Sequence, residues 1–245
     1  MAEVASFFAP AVLYLPHSRQ KGLTEMKRTR LSDRLLPNYS KGEEIMNMVT
    51  HIVGAALGII ALPLCLMKSN DILDILGSTI YGLCLITLYT MSSVYHGLRP
   101  GTAKKVMQVI DHCTIYLLIA GSYTAVLLCA LCKTHPTLGW SLLVFEWALT
   151  CLAVTLTAID LKVYEVFSMI CYIGMGWAVI PFWRQTLEAL GSGGFWLLLL
   201  GGIAYTVGAV LYGLGIKMKW MHSVFHIFVV LGSLLQFLCV LFYAL

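Results

Sequence analysis

The chain has 245 residues, of which 59% are hydrophobic and only 11% are charged, and its formal net charge is +4 at pH 7. A soluble globular domain carries about 25% charged residues, so this composition excludes a soluble enzyme or binding module and predicts a polytopic membrane protein. The eight cysteines are scattered through apolar segments, which indicates buried free thiols rather than a disulfide framework.

The polar N-terminal part, residues 1–43, is predicted to be a cytoplasmic tail that precedes a single transmembrane domain, residues 44–245. Its first apolar stretch ends at Leu15. That stretch is shorter than the roughly 20 residues of a membrane span, and no basic residues precede it as they would in a signal peptide. A normal basic lead begins at Met26. One hypothesis is therefore that translation starts there and that residues 1–25 are untranslated or disordered.

Seven apolar segments follow the tail, and polar residues separate each segment from the next. Each segment is long enough to cross a hydrocarbon core of roughly 30 Å as a helix. The sequence therefore predicts an all-α membrane protein, a seven-transmembrane helix bundle. In the first segment, Gly54 and Gly58 form a G-x-x-x-G pattern that lets helices approach closely. The predicted spans are 45–67, 72–97, 107–131, 138–159, 164–183, 194–214 and 221–244.

The distribution of lysine and arginine predicts which helix ends face the cytoplasm. All 16 of these residues except Lys68, Lys133 and Arg184 fall in the tail or in the loops on the tail's side of the membrane. Because positively charged loops stay on the cytoplasmic side, this bias predicts a cytoplasmic N-terminus and an outside C-terminus.

Ionisable and polar side chains gather at the cytoplasmic ends of four predicted helices, whereas the outer halves are almost wholly apolar. Ionisable residues inside a membrane are energetically costly, so a cluster of them indicates a functional site. The residues are Glu44, Asn47 and His51 on the first helix, Ser92 and His96 on the second, Asp111 on the third, and His222 and His226 on the seventh.

The spacing of His222 and His226 places both imidazoles on one helix face, one turn apart. Neutral imidazole is a good zinc ligand. Together with His96, the pair predicts a three-histidine zinc site with an open fourth position, which is the arrangement of catalytic zinc. The alternative is that the pair faces a polar interior and hydrogen-bonds to neighbouring helices.

Asp111 and Ser92 are the candidate catalytic residues. Zinc lowers the pKa of its bound water to roughly 7, and Asp111 would take a proton from that water and later return it to the leaving group. Ser92, one turn before His96, would steady a substrate oxygen or the water. The alternatives are that Asp111 is a buried carboxylate paired with a polar neighbour, and that the Ser92 hydroxyl bonds back to a helix carbonyl.

The remaining members of the cluster are predicted to support the metal ligands. Glu44 and Asn47 would orient the cluster from the membrane interface, and His51 is interpreted as a hydrogen-bonded supporting group. His112, the neighbour of Asp111, points about 100° away on the helix. We therefore do not expect it to be a ligand.

Four motifs stand in order along the chain: Glu44-x-x-Asn47-x-x-x-His51, Ser92-x-x-x-His96, Asp111 with the following Ile-Tyr-Leu-Leu-Ile-Ala-Gly-Ser-Tyr-Thr, and His222-x-x-x-His226. In this pattern the chain resembles the hemolysin III family over about residues 27–245. That family is the bacterial branch related to the progestin and adipoQ receptors, which include the adiponectin receptors. The resemblance implies a seven-helix fold with zinc near the cytoplasmic face. By it, His96, His222 and His226 are the ligands, Asp111 reaches the metal through a water, and Ser92 lies beside the metal.

Three functions are compatible with this pattern. The family is similar to alkaline ceramidases, which implies a zinc-dependent hydrolase acting on a lipid amide or ester. The second hypothesis is a cytolytic, pore-forming hemolysin or channel, although apolar outer halves disfavour a monomeric pore. The third is a seven-helix receptor or sensor with a structural zinc ion. The expected partners are a lipid substrate and the bilayer, with no nucleic acid and with homo-oligomerisation left open. The expected location is the bacterial inner membrane.

Overall fold

The computed structural model describes residues 29–245, so the predictions for residues 1–25 and for a start at Met26 lie outside it. Between residues 29 and 245 the chain is helical and contains no β-strand. The helices in chain order are α1 Lys41–Lys68, α2 Ile72–Gly97, α3 Thr102–Val126, α4 Pro136–Ile159, α5 Glu165–Gly176, α6 Trp183–Gly215 and α7 Met221–Cys239. Short 3-10 turns span Leu31–Asp33 and Ile180–Phe182, π turns at Leu127–Leu131 and Val240–Ala244 extend α3 and α7, and Cys132–Thr134 adds a last helical turn before α4.

Local sequence signals fix where several helices begin. The Ser40 hydroxyl accepts a hydrogen bond from the backbone N–H of Glu43, and the Glu43 carboxylate accepts one from the backbone of Ser40, so a capping box opens α1. The Asp71 side chain accepts from the first backbone N–H groups of α2. Pro136 begins α4, where its missing N–H would have had no partner in any case.

Helix α3 lies at the centre of the bundle. In the most apolar window of the stretch that contains it, 83% of the residues are buried, against 22% to 44% in the other long helical stretches. On the outside, large apolar side chains such as Ile59, Val144 and Ile170 are 60%, 66% and 66% exposed. Such a surface is stable only against hydrocarbon, so these side chains face lipid.

The first and last helices run in the same direction. Near their starts, Ser223 and His226 of α7 contact Asn47 of α1. Near their ends, the ammonium group of Lys68 donates to the carbonyl of Leu241. The starts of α1 and α7 therefore share one end of the bundle, and the contacts described below add the end of α2 and the start of α3.

The predicted number of membrane crossings is not settled by the helices of the structure. Between residues 29 and 245, six helical stretches are long and apolar enough to cross a membrane, and one of them, Glu165–Gly215, contains both α5 and α6. Helix α5 has 12 residues, fewer than the roughly 20 of a full span, and α6 is interrupted at Gly191, whose φ of 67° suits glycine. The multi-pass helical architecture is confirmed. The seventh crossing and the sidedness of the termini stay predictions.

Candidate metal centre

Three histidines from two helices converge at the shared end of the bundle. His96 lies in the last turn of α2, and His222 and His226 lie in the first two turns of α7. One ring nitrogen from each lies within 4.8 Å of the other two, and the Nε2 atoms of His222 and His226 are 3.1 Å apart. All three side chains are buried. The structure therefore brings together the three residues that the sequence predicts as metal ligands.

The orientation of His96 is set by an acidic residue of α1. Oε2 of Glu44 lies 2.7 Å from Nδ1 of His96, and the ammonium group of Lys104 donates to Oε1 of Glu44 at 2.6 Å. Because an ionised carboxylate can only accept, Nδ1 of His96 carries the proton and donates it. Nε2 is then left with its lone pair. It is buried and has no hydrogen-bond partner among residues 29–245.

The same reasoning assigns the lone pair of His226. Its Nδ1 lies 3.2 Å from the backbone carbonyl oxygen of Asn47, which can only accept, so Nδ1 is the donor and Nε2 keeps its lone pair. The Asn47 side chain is itself held, because its Oδ1 accepts a hydrogen bond from the Ser223 hydroxyl at 2.6 Å. Because Nε2 of His222 lies 3.1 Å from this lone pair, the two nitrogens repel each other unless a proton or a cation lies between them. The donor set therefore fits a zinc ion.

Aromatic rings stack on the faces of two of the histidines. Tyr39 stacks on His222 with ring centroids 4.8 Å apart, and burial raises the pKa of the Tyr39 hydroxyl, which keeps it neutral. His51 stacks on His226 at 3.7 Å and meets the ring of Tyr89 edge-on at 5.0 Å. Neither nitrogen of His51 has a hydrogen-bond partner in the described part of the chain. His51 thus supports the cluster through its ring face rather than through the expected hydrogen bond.

Asp111 and Ser92 lie beside the histidines. The Ser92 side chain lies close to the Asp111 carboxylate, and both residues line the cavity that His222 and His226 also line. Asp111 is not one of the groups whose ligand atoms fall within 4.8 Å of one another. His112 also lines this cavity, and its Nδ1 lies 2.8 Å from the carbonyl oxygen of Gln108 on its own helix.

The cavity extends from this polar end into the bundle. Its volume is 760 Å³, and α3, α5, α6 and α7 contribute most of its walls. Gly215 lines its polar end and Leu198 its far end. At 1.5 Å per residue these two positions on α6 are roughly 25 Å apart. Between them the wall is mainly apolar, with side chains such as Leu118 and Val229.

Sequence reasoning missed three residues of this site. Lys104 is only 2% exposed, although the sequence predicts a loop charge, and its only sequence signal is a position three residues before the predicted apolar segment 107–131. Ser223 adjoins His222, so its contact with Asn47 follows once the faces of α1 and α7 are known. Tyr39 lies in a polar segment without periodicity, and no signal there predicts its contact with His222.

Comparison with known proteins agrees with the fold and the motifs. The family model described as haemolysin-III related matches residues 39–237. Hemolysin-3 of Bacillus cereus is 38% identical over 206 residues, which cover 83% of this chain and 92% of that protein. The Hemolysin-3 homolog of Bacillus subtilis (strain 168) is 38% identical over 204 residues, which cover 82% and 94%. The human monocyte to macrophage differentiation factor is 24% identical over 205 residues, which cover 80% and 82%. Matched along most of its length, this multi-pass protein of the bacterial cell membrane belongs to the haemolysin-III family.

Proposed function

We propose that this protein is a zinc-dependent membrane hydrolase that cleaves an amide or ester bond of a lipid. The observation that supports it most directly is the group of three buried histidines whose ligand atoms lie within 4.8 Å of one another. Hydrogen bonds from His96 to a carboxylate and from His226 to a backbone carbonyl are the usual way in which proteins orient zinc-binding imidazoles.

The residues around the histidines suit hydrolysis. Zinc held by His96, His222 and His226 would supply Lewis-acid polarisation of a carbonyl and a more acidic water. The Asp111 carboxylate accepts a proton from water as its oxygen attacks the carbonyl carbon, and it delivers that proton to the leaving nitrogen or oxygen when the bond to carbon breaks. The Ser92 hydroxyl lies close to the Asp111 carboxylate and would hold that carboxylate in place.

The cavity supports a lipid as the substrate. Its 760 Å³ falls within the usual range for small-molecule sites, about 300–1,000 Å³. Its polar end carries Asp111 and the histidines, and apolar walls continue for roughly 25 Å along α6. An acyl chain in the apolar part would place its amide or ester linkage at the polar end.

Metal analysis of the purified protein is the first test. We expect about one zinc ion per chain in the wild type, as in other three-histidine sites, and loss of zinc in the His96→Ala and His226→Ala variants. The matched control is His135→Ala, because His135 lies in the turn before α4 and pairs with the exposed Glu188. A wild-type protein without zinc, or histidine variants that keep it, would contradict the proposal.

Turnover is the second test, measured with a fluorescent ceramide-like amide and a matching lipid ester. Asp111→Asn should retain zinc and lower kcat by about 100-fold or more, because it removes the general base. Ser92→Ala should lower kcat less. If zinc-loaded wild-type protein hydrolyses neither lipid, or if Asp111→Asn turns over at the wild-type rate, the assigned chemistry is wrong.

Two relatives are named hemolysins, which favours cytolytic pore formation as a second candidate. A pore needs a polar path along the whole bundle, yet the π turn Leu127–Leu131 and Val240 pack an apolar core near the other end of α3 and α7. Only an oligomer would provide the path. Dye release from liposomes that is equal for wild type and His222→Ala would support pore formation and argue against a function centred on the histidines.

A further inference from the structure

A short N-terminal segment lies across the polar end of the cavity. This segment, residues 29–39, is called the strap below. At its start, the backbone N–H of Thr29 donates to Oδ2 of Asp160 at 2.6 Å, and at its end Tyr39 stacks on His222. Burial alone would raise the pKa of Asp160, but the hydrogen bonds from Thr29 and from the backbone after α4 hold it below its ordinary value. Asp160 is therefore ionised at neutral pH and anchors the strap.

The strap carries a buried arginine that forms no ion pair with any residue from 29 to 245. Arg34 is 9% exposed and lines the cavity. Its Nε and Nη1 atoms have no hydrogen-bond partner among residues 29–245. Four carboxylates, those of Asp33, Glu43, Asp111 and Glu165, line the same cavity, and none is within ion-pair distance of Arg34. Two buried guanidinium nitrogens without a hydrogen-bond acceptor are costly, so a ligand that pairs with them would be strongly favoured.

The chemistry of that ligand follows from the guanidinium. Arginine presents its N–H groups in a planar fork that matches the oxygens of a phosphate or a carboxylate. Exposed lysines at the same opening, Lys162, Lys217 and Lys219, add positive charge where the strap meets the loops. Basic groups at this depth are typical of sites for anionic lipid head groups. The apolar part of the cavity then accommodates an acyl chain of the lipid. The cavity is roughly 25 Å long, which exceeds the thickness of one leaflet of the hydrocarbon core, about 15 Å.

We propose that Arg34 binds the anionic phosphate of a phospholipid whose acyl chain lies in the cavity. This inference rests on the proposed function, since it names the class of lipid that the hydrolase would take. The phosphate accepts hydrogen bonds from the guanidinium of Arg34 at the strap, and the ester linkage lies deeper, toward Asp111 and the histidines.

Binding of phosphatidylglycerol to the purified full-length chain in detergent, measured by native mass spectrometry with phosphatidylcholine as the reference lipid, tests this inference. We expect phosphatidylglycerol to be preferred, and Arg34→Gln to weaken its binding by about 10-fold, as for the loss of hydrogen bonds to a charged group. The matched control is Arg30→Gln, an exposed arginine of the same strap, which should bind as the wild type does. Equal binding by wild type and Arg34→Gln, or an equal loss in Arg30→Gln, would overturn the inference.

Further measurements separate the sources of phosphate and the two proposals. Inorganic phosphate at the same concentration should not displace the lipid; displacement would mean that the site takes free phosphate and would overturn the lipid assignment. If Arg34→Gln does not fold, as judged by its unfolding midpoint, Arg34→Lys replaces it and should show a smaller but measurable loss. Because binding is measured without turnover, an inactive protein that binds lipid through Arg34 contradicts only the hydrolase, whereas an active protein with unchanged binding in Arg34→Gln contradicts only this inference.

Discussion

Glu44 decides which nitrogen of His96 faces the cluster. Its carboxylate lies between Nδ1 of His96 and the ammonium group of Lys104, at 2.7 and 2.6 Å. Glutamine has nearly the same shape, but it lacks the charge that stabilises this donor and favours the metal-binding tautomer. We expect Glu44→Gln to lower zinc affinity by about 10- to 100-fold, measured by competition with a chromogenic chelator.

The control for this change is Glu188→Gln, because the Glu188 side chain is 69% exposed and pairs with His135. It removes one negative charge far from the histidines and should leave zinc affinity unchanged. A Glu44→Gln protein that holds zinc as tightly as the wild type would mean that the carboxylate does not orient His96.

A buried carboxylate of α4 has the opposite character. Glu146 on α4 is 0% exposed, and neither of its oxygens has a hydrogen-bond partner within residues 29–245. A charged carboxylate is costly in such surroundings, so Glu146→Gln should leave the thermal unfolding midpoint unchanged or raise it. The matched change Glu43→Gln weakens the cap of α1 and the bond from the backbone of Trp220. At about 1 kcal/mol for a lost cap, the midpoint should fall by roughly 2–4 °C.

The unfolding curves of these two variants decide between the interpretations. A large fall in the midpoint for Glu146→Gln would show that its carboxylate stabilises the fold through a partner outside residues 29–245 or through bound water. An unchanged midpoint for Glu43→Gln would show that the capping box contributes little to stability.

At the scale of elements, the close approach of α1 and α2 depends on glycine. A Cβ atom added at Gly58 would lie 3.0 Å from the backbone nitrogen of Ile86 and 3.1 Å from Cβ of Leu85. Since backbone cannot move aside cheaply, Gly58→Ala should destabilise the protein by about 1–3 kcal/mol. Thermal unfolding in detergent measures this loss.

Gly174 on α5 provides the matched control, because a Cβ added there would meet no atom within 4 Å in the described chain beyond its chain neighbours and the backbone of its own helix. Alanine is the better helix former, so Gly174→Ala should stabilise the protein by about 0.5–1 kcal/mol. If both variants lose stability equally, the cost lies in the substitution itself and not in the contact between α1 and α2. The G-x-x-x-G pattern predicts this contact from sequence alone.

Helix α5 shows that hydropathy alone does not predict where a helix ends within an apolar segment. The apolar segment 164–183 predicts a full span, but the structure has a 12-residue helix that ends at Gly176, followed by turns. The backbone of this region is held by tertiary contacts: the Tyr123 hydroxyl donates to the carbonyl of Gly176 and accepts from the N–H of Val179. A hydropathy pattern carries no information about such bonds, whereas the bounds of α2, predicted at 72–97, are recovered because polar residues flank it.

At the scale of the molecule, the sequence predicts that the ionisable residues converge, because the predicted spans give each residue a depth in the membrane. Once the spans are placed, His96, Asp111 and His226 are assigned to one end. Depth does not give the rotation of each helix about its axis. The hydrogen bonds of Lys104 and the shape of the cavity depend on that rotation. The position of the strap depends on contacts made by a segment that has no hydrophobic periodicity. For these reasons the convergence of the three histidines was predictable, and the position of Arg34 was not.

The parallel direction of α1 and α7 makes a prediction about the whole topology. Both helices start at the end that holds the histidines, and Lys68 and Leu241 meet at the opposite end. The positive charges of the tail predict that it lies in the cytoplasm, so the chain should end outside after an odd number of crossings. A phosphatase fused after Leu245 should therefore be active and a fluorescent protein at the same place dark, and the reverse should hold for fusions after Lys217. An active phosphatase after Lys217, or a fluorescent C-terminal fusion, would invert this topology and place the candidate metal centre at the outer face.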